Sequence, residues 1–173
     1  MKRKKYMILI LAIVFIAIII NYMIYRGNRN GSTLESRQLQ LREIERLGEN
    51  VTIIQELMID DYIISGYTSS SNQYGLAIFA SRGNGNYEFE TDYTRQNDRL
   101  IHGYVMVNSK CYDLFWANRD DLDYAEVIYE SNGLFCELKK MDAKDNKILY
   151  MEAPSDDYRV EYYFFDLNGN KYE

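Results

Sequence analysis

Two hydrophobic rhythms divide the chain, with a short third between them. From Tyr6 to Tyr25 no position is charged, and Met7 to Ile20 is apolar throughout. From Val51 onward, apolar and polar residues alternate with a period of two, the pattern of strands. Between the two, Leu34, Leu41, Ile44 and Leu47 fall near one face of a 3.6-residue period. Ser32 and Glu35 have capping-box spacing and Gly48 is a natural stop. This predicts an amphipathic helix over 32–48 that packs on the domain, since a face of Leu and Ile is costly to leave wet.

The period-two region predicts ten strands: Thr52–Ile59, Tyr62–Thr68, Tyr74–Arg82, Tyr87–Thr94, Ile101–Val107, Lys110–Ala117, Tyr124–Ser131, Leu134–Met141, Lys147–Met151 and Tyr158–Phe165. Asp60-Asp61, Ser69 to Asn72, Asn84-Gly85, Asn108-Ser109 and Asn132-Gly133 read as turns between them. Neighbours in sequence then become neighbours in space, and the fold class is mainly β: an antiparallel β-meander, as a sandwich or a partly closed barrel.

The turns fix registers. Asn132-Gly133 pairs Tyr129 with Cys136, Val127 with Leu138 and Glu126 with Lys139. Asn84-Gly85 pairs Ala80 with Phe89 and Ile78 with Thr91. It sets Tyr87, Phe89 and Tyr93 on a buried face against Glu88, Glu90 and Asp92 on a wet one. Asn108-Ser109 pairs Val105 with Tyr112, Gly103 with Leu114 and Ile101 with Trp116, all on a core face, with Cys111 opposite Met106. In a continuous meander the Cys111 and Cys136 strands are next-nearest neighbours, roughly 9–10 Å apart and beyond disulfide reach. A free pair is expected, although a sandwich could bring them together.

The uncharged run changes the picture of location. Twenty residues at about 1.5 Å rise span roughly 30 Å, the depth of a bilayer's hydrocarbon. Lys2, Arg3, Lys4 and Lys5 precede the run, while Arg26 and Arg29 follow it. The heavier basic cluster stays cytoplasmic, so the rest lies outside. A cleaved signal fits less well. The run exceeds a signal's apolar core, and bulky residues from Asn21 to Arg26 stand where a small-residue cleavage site belongs. The expected organisation is a cytoplasmic basic tail (1–5), a transmembrane signal anchor (6–25), a linker (26–31), the amphipathic helix (32–48) and an extracytoplasmic β-rich domain (51–173).

Six of the 20 basic residues lie around the anchor and none of the acids do. The remainder sets 14 basic residues against 26 acidic ones, a net charge of about −12. Such a domain repels nucleic acid and anionic headgroups. The acids are scattered, so solubility explains them without a cationic ligand.

Candidate chemistry is thin. His102 is the only histidine and faces Phe115 in the proposed register. No Gly-x-Ser-x-Gly elbow accompanies it, and one His with two distant Cys lacks zinc spacing. Asp166 to Asn170 begins like a calcium loop, but its Gly is misplaced and no twelfth-position Glu follows. An Asn-Gly turn closing a last hairpin explains it better. Asp120, Asp121 and Asp123, with Asp113 nearby, form the densest acidic cluster and read as a solvated loop. Tyr158, Tyr162 and Phe164 alternate with Arg159, Glu161, Tyr163 and Phe165, so the last strand carries aromatics on both faces. It is either covered on both sides or part of a binding surface, and the core reading is preferred. No catalytic, cofactor-binding or metal residue is assigned, and no cofactor is expected.

The Lys/Arg start, the Ile-rich span, the short helix and a meander such as Tyr74-Gly75-Leu76-Ala77-Ile78-Phe79 followed by Gly85-Asn86-Tyr87 resemble small single-pass surface proteins of Gram-positive bacteria. The resemblance implies a location and no site residue. The expected function is a membrane-anchored extracytoplasmic interaction or accessory protein, non-catalytic, with a protein partner at the cell surface. A β-barrel enclosing a small apolar ligand is the second expectation, and a hydrolase with an unrecognised site the third. A buried, strongly perturbed acid beside His102 would favour the hydrolase.

Overall fold

The computed structural model describes residues 2–27, 29–70, 72–96, 99–154 and 157–172, with the side chains of 2–9, 12, 24 and 26 outside that description. The elements are α1 (Lys2–Gly27), α2 (Leu34–Arg42), β1 (Thr52–Ile59), β2 (Tyr62–Thr68), β3 (Gln73–Gly83), β4 (Asn86–Gln96), β5 (Leu100–Val107), β6 (Lys110–Ala117), β7 (Leu122–Ser131), β8 (Leu134–Asp142), a 3-10 turn (Lys144–Asn146), β9 (Leu149–Glu152), β10 (Arg159–Asp166) and β11 (Lys171–Tyr172). The side chains of the basic tail, of Tyr6 and of Arg26, and all of Ser71 in the expected Ser69–Asn72 turn, lie outside that description.

The strands form three antiparallel sheets, in the orders β1-β2-β3-β4, β5-β6-β9 and β11-β10-β7-β8. With α2 they stack as four layers. Leu41 and Leu47 pack with Ile63, Ala77 and Phe79 on the outer face of the first sheet. The inner face of that sheet, with Ile64, Leu76 and Ile78, meets Ile101, Leu114 and Trp116 of the middle sheet. The other face of the middle sheet, with Phe115, Leu149 and Met151, meets Val127, Tyr129 and Phe164 of the last sheet. The middle sheet is thus covered twice, which is why Asp113 to Ala117 is buried at five successive positions.

This stacking corrects the continuous meander. β6 pairs with β9 rather than β7, and β7 pairs with β10. An apolar strand such as Leu114 to Ala117 needs cover on both faces, so the chain leaves the middle sheet, builds a second cover and returns. The sheets do not close into a barrel, so the expected partly closed barrel gives way to a stack of open sheets.

The hairpins themselves follow local rules. Asn84-Gly85, Asn108-Ser109 and Asn132-Gly133 all have positive φ at both central residues, the turn whose twist suits paired strands. The β5–β6 register is the expected one throughout, with Ile101 opposite Trp116 and Met106 opposite Cys111. Two registers differ because of bulges. Beside Asn132-Gly133, an irregularity at Tyr129/Glu130 sets Tyr129 opposite Glu137, Val127 opposite Lys139 and Glu126 opposite Lys140. In β3–β4, two compensating shifts leave Ile78 opposite Thr91 but pair Phe79 with Phe89 and Ala80 with Glu88. An extra residue reverses the alternation. Tyr93 therefore packs on the inner core, while Tyr87 and Phe89 pack on the outer one. Asp92 turns in under Arg46, its side chain only 2% exposed.

α2 also starts one residue later than Ser32 and Glu35 imply. Asn30 Oδ1 accepts from the Ser32 amide and hydroxyl, which occupies Ser32 in a turn. Thr33 caps instead, in a reciprocal box with Ser36. The regular helix ends at Arg42 and continues to Leu47 as tighter turns, such as Ile44 N–H to Leu41 O at 3.1 Å. Leu34, expected on the apolar face, is exposed.

Over the described residues, no helix is long and apolar enough to cross a membrane. α1 itself is a helix of 26 residues. Its described apolar side chains, Ile10 to Met23, are all exposed, with Phe15 at 65%.

Candidate functional site

Two regions stand apart from ordinary core: a buried polar network and a bare sheet edge. The network sits between the middle and last sheets. Asp113 on β6 is 1% exposed. Its Oδ1 lies 2.8 Å from His102 Nε2, and its Oδ2 accepts from the Tyr129 hydroxyl at 2.7 Å. The Tyr158 hydroxyl lies 3.8 Å from Cys111 Sγ at the rim. Burial pushes the phenols of Tyr129 and Tyr158 well above the usual tyrosine range, and hydrogen bonding to Asp113 adds to it.

His102 stacks on Phe115, with ring centroids 5.1 Å apart, and tilts against Tyr162. Its register partner is the one the sequence implies, whereas Asp113 lies on this strand face rather than with the acidic loop cluster. The signal was available: if His102 faces Phe115, then Asp113 is its diagonal neighbour on the same face. The arrangement holds one buried carboxylate with donors from several elements, which orients the two sheets. Each Asp113 oxygen is engaged by a neighbouring side chain, so the network reads as a satisfied buried junction.

The acidic candidates are dispersed. Asp121 takes two bonds from Arg119 at 3.0 Å and one from the Tyr172 hydroxyl at 2.6 Å. The Arg119 bonds, then Tyr172, hold its carboxyl well below the usual range. Asp123 pairs with Lys144 at 2.9 Å. Asp166 accepts from the Asn168 and Asn170 amides at 2.8 and 2.7 Å, closing the β10–β11 hairpin. Among the described residues, no group of three His, Cys, Asp or Glu could hold a metal. Neither cysteine is in a disulfide; Cys111 is half-buried and Cys136 exposed, on strands of different sheets rather than next-nearest neighbours in one.

Trp116 is fully buried, its indole N–H donating to Asn146 O at 3.3 Å. A Cβ on Gly66 would lie 2.6 Å from this indole, so the strand needs glycine there.

A groove of about 490 Å³ lies where α1 meets α2 and β4, lined by Tyr25, Arg29, Gln40, Glu43, Tyr87 and Phe89 among others. Arg29 lies over the Tyr25 ring and is paired with Glu43. Its charge is therefore spent on joining α1 to α2.

The bare edge is β8. Eight of its nine residues are exposed, including Leu134 at 71%, Phe135 at 64% and Leu138 at 53%. It pairs with β7 alone, and the Cys136 thiol donates to Leu134 O at 3.5 Å within the strand. The outer face of the same sheet is open too. Tyr162 and Phe164 pack on the core, while Tyr163 and Phe165 face outward and are half-buried. The last strand is therefore covered on one side only. No family model, curated protein or solved structure matches the chain.

Proposed function

We propose that the chain is a membrane-anchored extracytoplasmic interaction protein, without catalysis of its own, which docks a protein partner through the β8 edge. The bare edge carries the reading. Unpaired strand edges recruit further strands unless they are covered or blunted; the half of this edge over residues 134–138 is apolar but for Glu137, while Lys139, Lys140 and Asp142 make the other half polar. Anchoring is supported by the uncharged run Tyr6–Tyr25 inside the 26-residue α1, apolar on every side and exposed where described. The Lys/Arg cluster before the run supports a cytoplasmic N-terminus and an outside domain, in keeping with the resemblance to single-pass Gram-positive surface proteins. The acidic domain disfavours nucleic acid as a partner.

A photoreactive residue placed at Phe135 of the full chain in intact cells tests the docking. A covalent adduct is expected from Phe135 and not from Met58, an equally exposed position on β1. Absence of an adduct from Phe135 overturns the reading. Protease added to spheroplasts should digest the domain, and survival of its C-terminus would overturn the orientation.

A further inference from the structure

We infer that the partner at β8 is a second copy of this chain, joined edge to edge about a two-fold axis through Leu138. The inference rests on the proposed docking role of that edge. Antiparallel pairing of one strand with itself places the two-fold normal to the sheet. Such an axis keeps each face on its own side. Because side chains alternate between faces, the axis can pass only through a residue opposite its own copy, never between two residues.

Few registers remain. An axis at Glu137 sets two carboxylates against each other, and one at Lys139 or Lys140 sets two ammonium groups together, each unfavourable. An axis at Cys136 falls on the bulge, where the regular ladder is interrupted. An axis at Leu138 avoids all of these. It sets Leu138 against its copy and Glu137 against Lys139 twice by symmetry, and the regular pairing ends at the bulge at Cys136, beyond which Phe135 lies on the other face from Met141. Glu137 and Lys139 have no side-chain partner among the described residues, so both are free to pair across the edge. Leu138, Phe135 and Glu137 are exposed, and Met141 is half-buried. The joined sheet would run β11-β10-β7-β8 and then the same four strands in reverse.

The domain's overall negative charge opposes self-association, but β8 itself carries both signs: Glu137 and Asp142 stand beside Lys139 and Lys140, and the nearby Lys144 and Lys147 are paired with Asp123 and Asp142. If α1 is held in a membrane, confinement raises the effective concentration, so a modest edge contact suffices.

The test uses the full chain in membranes, with Cys111 and Cys136 changed to Ser. Opposed residues in an antiparallel pair have Cα atoms about 4.5–5.5 Å apart, within disulfide range. Leu138→Cys should give a disulfide-linked dimer under mild oxidation, and Met58→Cys on β1 should not. In the unmodified chain, Glu137→Lys or Lys139→Glu alone should weaken dimerisation about tenfold, because two symmetric attractions become two repulsions. The double exchange should restore it. All three substitutions lie at exposed sites, so folding is not at stake. No Leu138→Cys dimer, or no rescue by the double exchange, overturns the inference. If the photoreactive residue at Phe135 instead captures a protein of different mass, the edge is a docking site but not for a second copy.

Discussion

The first and last sheets of this domain have the same strand count and opposite edges. In the first, each outer strand is met over part of its length by α2 and the segment before it. The Gln38 side chain accepts from the Ile53 amide on β1 at 3.1 Å. On β4, Gln40 accepts from the Phe89 amide at 2.7 Å and donates to Tyr87 O at 2.9 Å, while Asn30 O accepts from the Tyr87 amide. One short helix thus caps two edges with side chains that imitate a strand. Arg37 locks it down with two bonds to Glu56, at 2.9 and 2.6 Å, and a third to Gly31 O. In the last sheet β8 has no equivalent. The contrast leaves β8 as the edge that the proposed docking would use.

Substitutions can break or sharpen this contrast. The largest effect should come from Trp116→Ala, which empties the interface between the first and middle sheets. A loss of about 3–5 kcal/mol is expected in denaturant titration. Stability near that of the unaltered chain would mean that the first sheet does not depend on its cover. Arg37→Ala should follow, at about 3 kcal/mol, because it leaves Glu56 and the Gly31 carbonyl without their buried partner. Hydrogen exchange should then accelerate at Ile53 and Phe89 while β7 amides stay protected. Uniform acceleration would show that α2 supports the whole domain rather than one sheet.

Gln40→Ala removes two backbone partners at once and should cost about 1–3 kcal/mol. It should also make β4 a second sticky edge, visible as concentration-dependent association. If Gln40→Ala combined with Glu137→Lys associates no more than Glu137→Lys alone, the capping argument fails.

Alkali probes the covered layers more gently. Tyr67 is pushed well above the ordinary tyrosine range by burial and by donating to Asp92 at 2.7 Å. Tyr129 and Tyr158 are raised likewise. A pKa raised on folding contributes stability that is whole below the unfolded value, about 10, and is lost as pH climbs above it. Absorbance near 295 nm should therefore show a set of tyrosines that ionise only when near-UV circular dichroism collapses. Complete ionisation of a still-native domain would deny that these rings are enclosed.

The smallest effect belongs to the open edge. Phe135→Ser should change monomer stability by no more than about 0.5 kcal/mol, since the ring is mostly in water. A larger loss at high dilution would make Phe135 part of the core and remove the contrast with β1 and β4.

Local chemistry was legible in the chain from the start. Pairs such as Asn84-Gly85 and Asn132-Gly133 adopt positive φ almost regardless of context, so turn positions, the strands flanking them and the whole β5–β6 register could be read directly. Alternation also identified Trp116 as core, because a two-residue period assigns faces without knowing what covers them. The pattern could not say which strands share a sheet. That choice depended on Leu114 and Phe115 needing cover from opposite sides, a demand met only by strands distant in the chain. Bulges in β4 and beside Cys136 were hidden for a related reason. One unpaired residue costs little locally, yet it reverses every face beyond it, drawing Asp92 inward under Arg46. The His102–Asp113 contact and the exposure of β8 arise the same way. Both are settled by how the layers close around them, which no residue decides from its neighbours in sequence alone.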